Sequence, residues 1–183
     1  RSFNVKGAGV VITGTAHSGN VNTDERLHHY PSGQLVRVRG IRTQDQEATA
    51  AQSGERCALN IAGLELADIQ RGDWLTATPP AGYKTLSLEL QVSKGFPRAV
   101  KHWTPVHAYH ATHHCQGRIA LAPGQRLEPG QNARVDLVLD TPIYCHRSDR
   151  LILRDHGLDT TLGGGTVIFA DATAPHRRHN TTR

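Results

Sequence analysis

The 183-residue sequence contains no methionine, only three cysteines, and few aromatic residues, which make up 5% of the chain. Because position 1 is an arginine and no methionine occurs anywhere, we expect a piece of a longer protein or a processed product. Apolar runs are short, and none approaches the ~18 consecutive residues of a membrane-spanning helix. The composition therefore argues against a membrane protein.

Several signatures of catalytic or nucleotide-binding sites are also missing. The chain has no GxxxxGK[ST] loop to hold phosphates and no GxSxG turn to present a serine nucleophile. GAGVVITG, near the start, has the wrong glycine spacing for a dinucleotide fingerprint and continues as a strand instead of a helix. Cys57, Cys115 and Cys145 are isolated from one another, which predicts reduced thiols in a cytoplasmic protein.

What the chain does contain is charge and turn-forming residues. Charged residues make up 20% of it, the formal net charge is +5, and there are 18 glycines and 9 prolines. A basic chain favours an acidic partner, although basicity alone is weak evidence for nucleic acid. The composition is typical of a loop-rich globular protein.

Short alternating runs separated by turns predict an all-β fold. GVVITGTA, LVRVRGI and ERCALNIAG occur in the first half, and the second half adds TLSLELQV, TPVHAYHAT, GRIAL, ARVDLVLD, DRLILRD and GTVIFADA. The paired prolines of ATPPAG cannot donate to a sheet ladder, so we place a boundary there. We predict two tandem small β-barrels, at 1–80 and 81–173, followed by a basic linker at 174–183.

Histidines are concentrated in HAYHATHHCQ. On a strand, His107 and His113 share one face, while His110 and His114 share the other. Ligands divided in this way would not converge on one ion, so we predict no metal site. A histidine/cysteine metal-binding enzyme remains an alternative interpretation.

Several phrases taken together resemble one family. RSF-VKGAGVVITGT, VRVRGI, GERCALNIAGL, IQRGDWL and LRD…TLGGGTVI are similar to selenocysteine-specific elongation factors (SelB), in the second and third domains of these translational GTPases. The resemblance covers nearly the whole chain. It implies that a GTPase domain with GTP and Mg²⁺ precedes these residues, and that winged-helix domains binding the selenocysteine insertion hairpin of messenger RNA follow them. The chain itself would then hold no cofactor, catalyse nothing, and contribute to binding selenocysteyl-tRNA for delivery to the ribosome at recoded UGA codons in the cytoplasm.

The resemblance also assigns an aminoacyl pocket. In relatives built like elongation factor Tu, an acidic residue commonly aligns with Arg1 and a neutral polar residue with Arg56. A selenol is a stronger acid than a thiol, so two guanidinium groups would favour the anionic selenocysteine over neutral serine. Phe3 shares a face with Arg1 and would pack beside the ester or the terminal adenosine. Alternation independently places Arg56 opposite Cys57, Leu59 and Ile61, which should fill the barrel.

The resemblance further suggests Lys6, Arg118 and Arg154 as contacts to the tRNA backbone. Arg37 and Arg39 stay unassigned. Within the same class of protein, a translational GTPase that binds ordinary aminoacyl-tRNA remains an alternative.

Overall fold

The computed structural model describes residues 1–5, 9–157 and 160–171, and nearly all of the regular structure in them is β-strand. The chain divides into two compact units, Arg1–Pro80 and Ala81–Arg183. The all-β prediction is therefore confirmed. No helix in the described residues is long and apolar enough to cross a membrane.

The first unit is built from β1 to β9 and one short 3₁₀ turn. The elements are β1 (Ser2–Val5), β2 (Gly9–Thr15), β3 (Asn20–Asn22), β4 (Arg26–Tyr30), β5 (Leu35–Thr43), β6 (Gln46–Ala48), β7 (Ala50–Gln52), β8 (Arg56–Ala62), the turn Leu66–Asp68 and β9 (Trp74–Thr76). A seven-stranded sheet runs in the order β1-β2-β8-β5-β4-β9, with β6 paired to β5, and β3 pairs with β7. Alternation on β5 and β8 sends Val36, Val38, Leu59 and Ile61 into a separate apolar core.

The second unit is a closed six-stranded barrel. Its elements are β10 (Tyr83–Val92), β11 (Val100–Lys101), β12 (Thr104–His110), β13 (His113–Ala120), β14 (Arg126–Leu127), β15 (Asn132–Ile143), β16 (Arg150–Asp155) and β17 (Thr161–Asp171). The barrel closes in the order β10-β15-β13-β12-β16-β17, and β11 pairs with β14. Inward leucines such as Leu86, Leu88, Leu90, Leu137 and Leu153 are fully buried in its core.

The histidine-rich hairpin differs from the sequence prediction. Strand β12 ends at His110 and β13 begins at His113, so the turn at 111–112 reverses the chain and His110 pairs with His113. The reversal breaks the odd–even alternation that we extended through the whole stretch. His107 and His114 therefore share the outer face, where His107 Nδ1 lies 3.1 Å from His114 Nε2. Our assignment of these two histidines to opposite faces was wrong.

Candidate functional site

The outer face of the first unit carries an open groove over strands β1, β2, β8 and β5. Its volume is about 900 Å³, and the side chains that line it include Phe3, Val11, Arg39, Arg42, Arg56 and Asn60. These residues point outward because their neighbours in the strands are the apolar residues of the core. The groove is thus a product of alternation in four adjacent strands.

Arg56 begins β8 and lies on the outer face, as alternation predicted. It is exposed, whereas Leu59 and Ile61 of the same strand are buried. Among the described residues, its guanidinium forms no ion pair with a carboxylate. Its charge can therefore act on a ligand in the groove.

Cys57, the next residue of β8, has a thiol whose pKa is raised. Burial, with a smaller contribution from Glu55, raises the pKa of Cys57, and the neighbouring Arg56 acts in the opposite direction. Cys57 also lines the groove. Arg56 therefore opposes the effect of burial on this thiol without cancelling it.

Arg1 is held beside β2 by backbone hydrogen bonds. The Thr13 N–H donates to the Arg1 carbonyl at 2.7 Å, and the Arg1 nitrogen donates to the Thr13 carbonyl at 3.1 Å. Thr13 pairs with Ala58, and Ala58 pairs with Arg42. These pairings form one row of residues across four adjacent strands, from Arg1 at one end to Arg42 at the other. The two side chains in the middle of the row, Thr13 and Ala58, are small.

Spacing along these strands fixes the separation of the arginines. Arg56 is a diagonal neighbour of Arg42, which puts their Cα atoms roughly 7–8 Å apart. Arg1 and Arg56 are two strands apart and offset by two residues, or roughly 12 Å between Cα atoms. Long arginine side chains can approach the small-residue floor from both sides. The structure therefore places Arg1 and Arg56 on the same face, with Arg42 nearer to Arg56 than Arg1 is. The described residues that line the groove include Arg56 and Phe3 but not Arg1.

Phe3 supplies an apolar wall to the groove. It pairs with Val11 on β2 and its side chain remains 44% exposed. Val11 in turn pairs with Asn60, whose Oδ1 is buried and accepts no hydrogen bond from the described residues. A buried acceptor without a partner is unusual in folded proteins. The groove thus offers cations, an aromatic surface and a buried acceptor, and the carboxylates of Asp45 and Glu47 also line it.

Arg39 and Arg42 are groove residues that the sequence analysis did not assign. A β-bulge at Arg39–Gly40 shifts the pairing of β5 with β8. The sequence contains one hint of this bulge. Gly40 lies inside the strand, and the core residues on either side of the bulge, Val38 and Ile41, are three positions apart where regular alternation gives two.

Two of the three residues assigned to the tRNA backbone are described, and both lie in the second unit. Lys6 is outside the described residues. Arg118 on β13 pairs with Pro105, and Arg154 on β16 pairs with His107, so both lie on the outer face of the second barrel. His107 Nε2 lies 2.8 Å from His156 Nδ1 on the same face. In the part of the chain that the structure describes, no group of three or more histidine, cysteine or acidic side chains could hold a metal ion.

Comparisons with known proteins agree with the fold. The family model described as "Elongation factor Tu domain 2" matches residues 9–76, and that described as "Selenocysteine-specific elongation factor, beta-barrel domain" matches residues 86–174. The selenocysteine-specific elongation factor of Escherichia coli is 39% identical over 180 residues, which are 97% of this chain and 27% of that protein. The factor of Haemophilus influenzae is 32% identical over 97% of this chain and 28% of its own length.

A solved structure has a similar fold. Translation elongation factor SelB from Methanococcus maripaludis, in its apo form, matches with a TM-score of 0.80 and 21% identity, over 93% of this chain and 41% of that chain. This likeness supports the fold, and the sequence matches supply the family. The chain, which spans about a quarter of the length of its bacterial relatives, belongs to the selenocysteine-specific elongation factor family.

Proposed function

We propose that the groove of the first unit holds the aminoacyl end of selenocysteyl-tRNA, which the factor delivers to the ribosome at recoded UGA codons. The observation that carries this proposal is the outward Arg56 guanidinium, which has no ion pair among the described residues and shares the groove with Phe3. A cation left unneutralised in a partly enclosed groove favours an anionic ligand. Membership of the family supplies the identity of that ligand.

Charge explains how serine would be rejected. The selenol of selenocysteine is largely ionised at neutral pH, whereas the serine hydroxyl is neutral. A charge-assisted hydrogen bond contributes about 1.5–3 kcal/mol, and a bound neutral side chain would leave the guanidiniums of Arg1 and Arg56 partly desolvated without compensation. A difference of about 1.4–3 kcal/mol corresponds to a preference of roughly 10- to 100-fold.

Other groups of the site suit the rest of the aminoacyl end. Phe3 offers a flat apolar surface to the ester or the terminal adenosine, and stacking on an aromatic ring is a common way to hold an unpaired base. The buried Oδ1 of Asn60 can accept a hydrogen bond from an ammonium or hydroxyl group of the ligand. Lys6, Arg118 and Arg154 would bind tRNA phosphates, which fix position without reading sequence.

The other activities of the full-length factor belong to segments outside this chain. GTP and Mg²⁺ would bind in a separate GTPase domain, and the hairpin in messenger RNA would bind to winged-helix domains. This chain would therefore hydrolyse no nucleotide by itself. We expect the factor to work in the cytoplasm, where ribosomes recode UGA.

Replacing Arg56 tests the charge mechanism directly. In the full-length factor, Arg56→Ala should weaken binding of selenocysteyl-tRNA by roughly 10- to 100-fold, because the loss corresponds to about 1.4–3 kcal/mol. Binding of the same tRNA charged with serine should change by less than about 3-fold, since a neutral hydroxyl gains little from the guanidinium. Equilibrium binding of the two charged forms measures both effects.

The matched control is Arg37→Ala, which removes an exposed arginine of the same unit that is already paired with Asp24 at 2.6 Å. It should leave the preference for selenocysteine unchanged. An equal loss for both charged tRNAs in Arg56→Ala would contradict the charge mechanism.

A further inference from the structure

The turn between β4 and β5 carries a serine hydroxyl that is hydrogen-bonded to a buried histidine. Ser32 is exposed in this turn, and its Oγ lies 2.7 Å from Nδ1 of His29. His29, the fourth residue of β4, is only 2% exposed. Its other ring nitrogen, Nε2, lies 3.0 Å from Oδ2 of Asp73, the residue before β9. A hydroxyl, an imidazole and a carboxylate thus form one continuous array.

Backbone hydrogen bonds hold the three groups of this array in place. Strand β4 pairs with β5 on one side and with β9 on the other. The His29 N–H donates to the Gln34 carbonyl at 2.8 Å, and the Gly33 N–H donates to the His29 carbonyl at 2.6 Å, which closes the turn. The Gln70 N–H donates to Asp73 Oδ2 at 2.6 Å and fixes that carboxylate. The array is therefore set by the fold and needs no ligand to assemble it.

The carboxylate determines which nitrogen of His29 carries the proton. An ionised carboxylate can only accept hydrogen bonds, so Nε2 must donate to Asp73, and neutral His29 then has an unprotonated Nδ1. The Gln34 N–H donates to Ser32 Oγ at 3.3 Å, which leaves the hydroxyl proton of Ser32 to point at Nδ1. Nδ1 of His29 is thus placed to take the proton of Ser32.

We propose that Ser32 is an activated nucleophile, a covalent acylation site for carboxylic esters. His29 is its general base, and Asp73 is a positioning residue that also stabilises the imidazolium formed when His29 takes the proton. Hydrolases on unrelated folds activate a serine with the same three groups, which are recognised by their geometry and not by their order in the sequence. Among the described residues that line the groove of the first unit, none belongs to this array, so the site is separate from the aminoacyl pocket.

The acylation step transfers one acyl group and one proton. Ser32 Oγ forms a bond to the carbonyl carbon of the ester while its proton passes to Nδ1 of His29. The C–O bond to the leaving group then breaks, and the proton on His29 passes to the departing alkoxide or phenolate. The products are acyl-Ser32 and a free alcohol or phenol, and His29 is neutral again. The step consumes only the ester.

The experiment treats the 183-residue chain with p-nitrophenyl acetate and follows the acetylation of single serines by peptide mass spectrometry. Ser53 is the internal control, because it is also exposed in a turn of the first unit but its Oγ donates to the His17 carbonyl at 3.1 Å. A positioned general base accelerates a reaction by about 10²- to 10⁴-fold. Ser32 should therefore be acetylated about 100-fold faster than Ser53, or more.

The pH profile identifies the base. Among the described residues, Asp73 is the only charged side chain that hydrogen-bonds to His29. As pH rises, the acetylation rate at Ser32 should level off once His29 is neutral. The rate at Ser53, which has no imidazole beside it, should continue to rise with the hydroxide concentration.

Three variants assign the roles. Ser32→Ala should abolish acetylation of this turn and leave the rate at Ser53 unchanged. His29→Gln should lower the rate at Ser32 to that at Ser53. Asp73→Asn should lower the plateau at Ser32 by about 10-fold or more and keep its levelling with pH, because the amide oxygen still accepts from Nε2 but carries no charge to stabilise the imidazolium. Thermal unfolding checks that each variant is folded.

Equal acetylation rates at Ser32 and Ser53 in the unaltered chain would overturn the proposal, and this comparison requires no variant to fold. An unreduced rate at Ser32 in folded His29→Gln would overturn it as well, since another group would then be the base. An unchanged plateau in folded Asp73→Asn would remove Asp73 from the array.

Discussion

Individual charged side chains behave differently in the cores and in the groove. Asp155, which is 1% exposed, accepts hydrogen bonds from Arg98 at 2.6 Å and from the Gly157 N–H at 2.9 Å. His29, also buried, lies 2.7 Å from Ser32 Oγ and 3.0 Å from Asp73 Oδ2. Buried polar groups such as these stabilise the fold because they are satisfied. Arg56, with no ion pair among the described residues, is instead available to a ligand.

Two buried thiols give the chain a predictable response to alkaline pH. Burial raises the pKa of Cys115 to about 11 and that of Cys145 to about 12, above the ordinary value of 9.0. Unfolded thiols therefore ionise first, so the stability that these groups contribute is complete below pH 9 and falls as pH rises toward 11 and 12. The slope is about 1.4 kcal/mol per pH unit for each thiol.

We expect Cys145→Ala to reduce this pH dependence. In urea unfolding, the loss of unfolding free energy between pH 8 and pH 10 should be smaller by about 1.4 kcal/mol in the variant than in the unaltered chain. A cavity left by the substitution lowers the free energy of unfolding by the same amount at both pH values. Its effect therefore cancels when the two pH values are compared. The same loss in both proteins would show that the thiol does not titrate as the structure indicates.

Strand β17 approaches the backbone of β10 closely at Gly163, which the amino-acid composition does not reveal. In β17, Gly163 pairs with Val92 of β10, and a Cβ atom at this glycine would overlap the Gln91 carbonyl oxygen. The adjacent Gly164 has more room, since the nearest atom to its Cβ position is the Leu151 carbonyl oxygen at 3.9 Å. The two neighbours should therefore respond differently to the same substitution.

Gly163→Ala is expected to lower the free energy of unfolding by about 2–3 kcal/mol, because β10 and β17 must separate to admit the methyl group. Chemical denaturation of the chain measures this loss. Gly164→Ala, the control, should change stability by less than about 0.5 kcal/mol. Similar stabilities for the two variants would contradict the close approach of these strands.

The histidine hairpin and the bulge on β5 show where strand alternation stops predicting the direction of side chains. Alternation correctly placed Arg56 outward, because a strand without interruption keeps its period of two. It failed at His107 and His114, where a turn reverses the chain. It made no prediction for Arg42, which lies beyond the bulge on β5. Alternation cannot be extended past a turn or a bulge, because a shift of one residue moves every later side chain to the other face.

At the scale of the whole molecule, each unit has a core of its own. All six strands of the closed barrel come from residues 81–171, and the core cluster that contains Leu137 is made of residues of this segment alone. A closed barrel pairs every strand on both sides and needs no further strand to protect an edge. Residues 81–183 thus contain what the barrel requires to fold.

We expect residues 81–183, produced alone, to fold into a β-structure that unfolds cooperatively. Circular dichroism during heating measures this property. Leu137→Ala in the same segment should lower the free energy of unfolding by about 2–5 kcal/mol, because it leaves a cavity in the core. A broad transition without cooperativity, unaffected by the substitution, would show that the barrel is incomplete.

Local sequence was enough to establish the all-β class, the family and the outward direction of Arg56. These features depend on alternation, on turn residues and on phrases such as ALNIAG, which are properties of neighbouring residues. The folded structure was needed to show that Arg42 and Arg39 join Arg56 in one groove and that His107 meets His114. Pairing register, bulges and the meeting of strands distant in sequence are set by hydrogen bonds and packing across the sheet, which no local pattern contains.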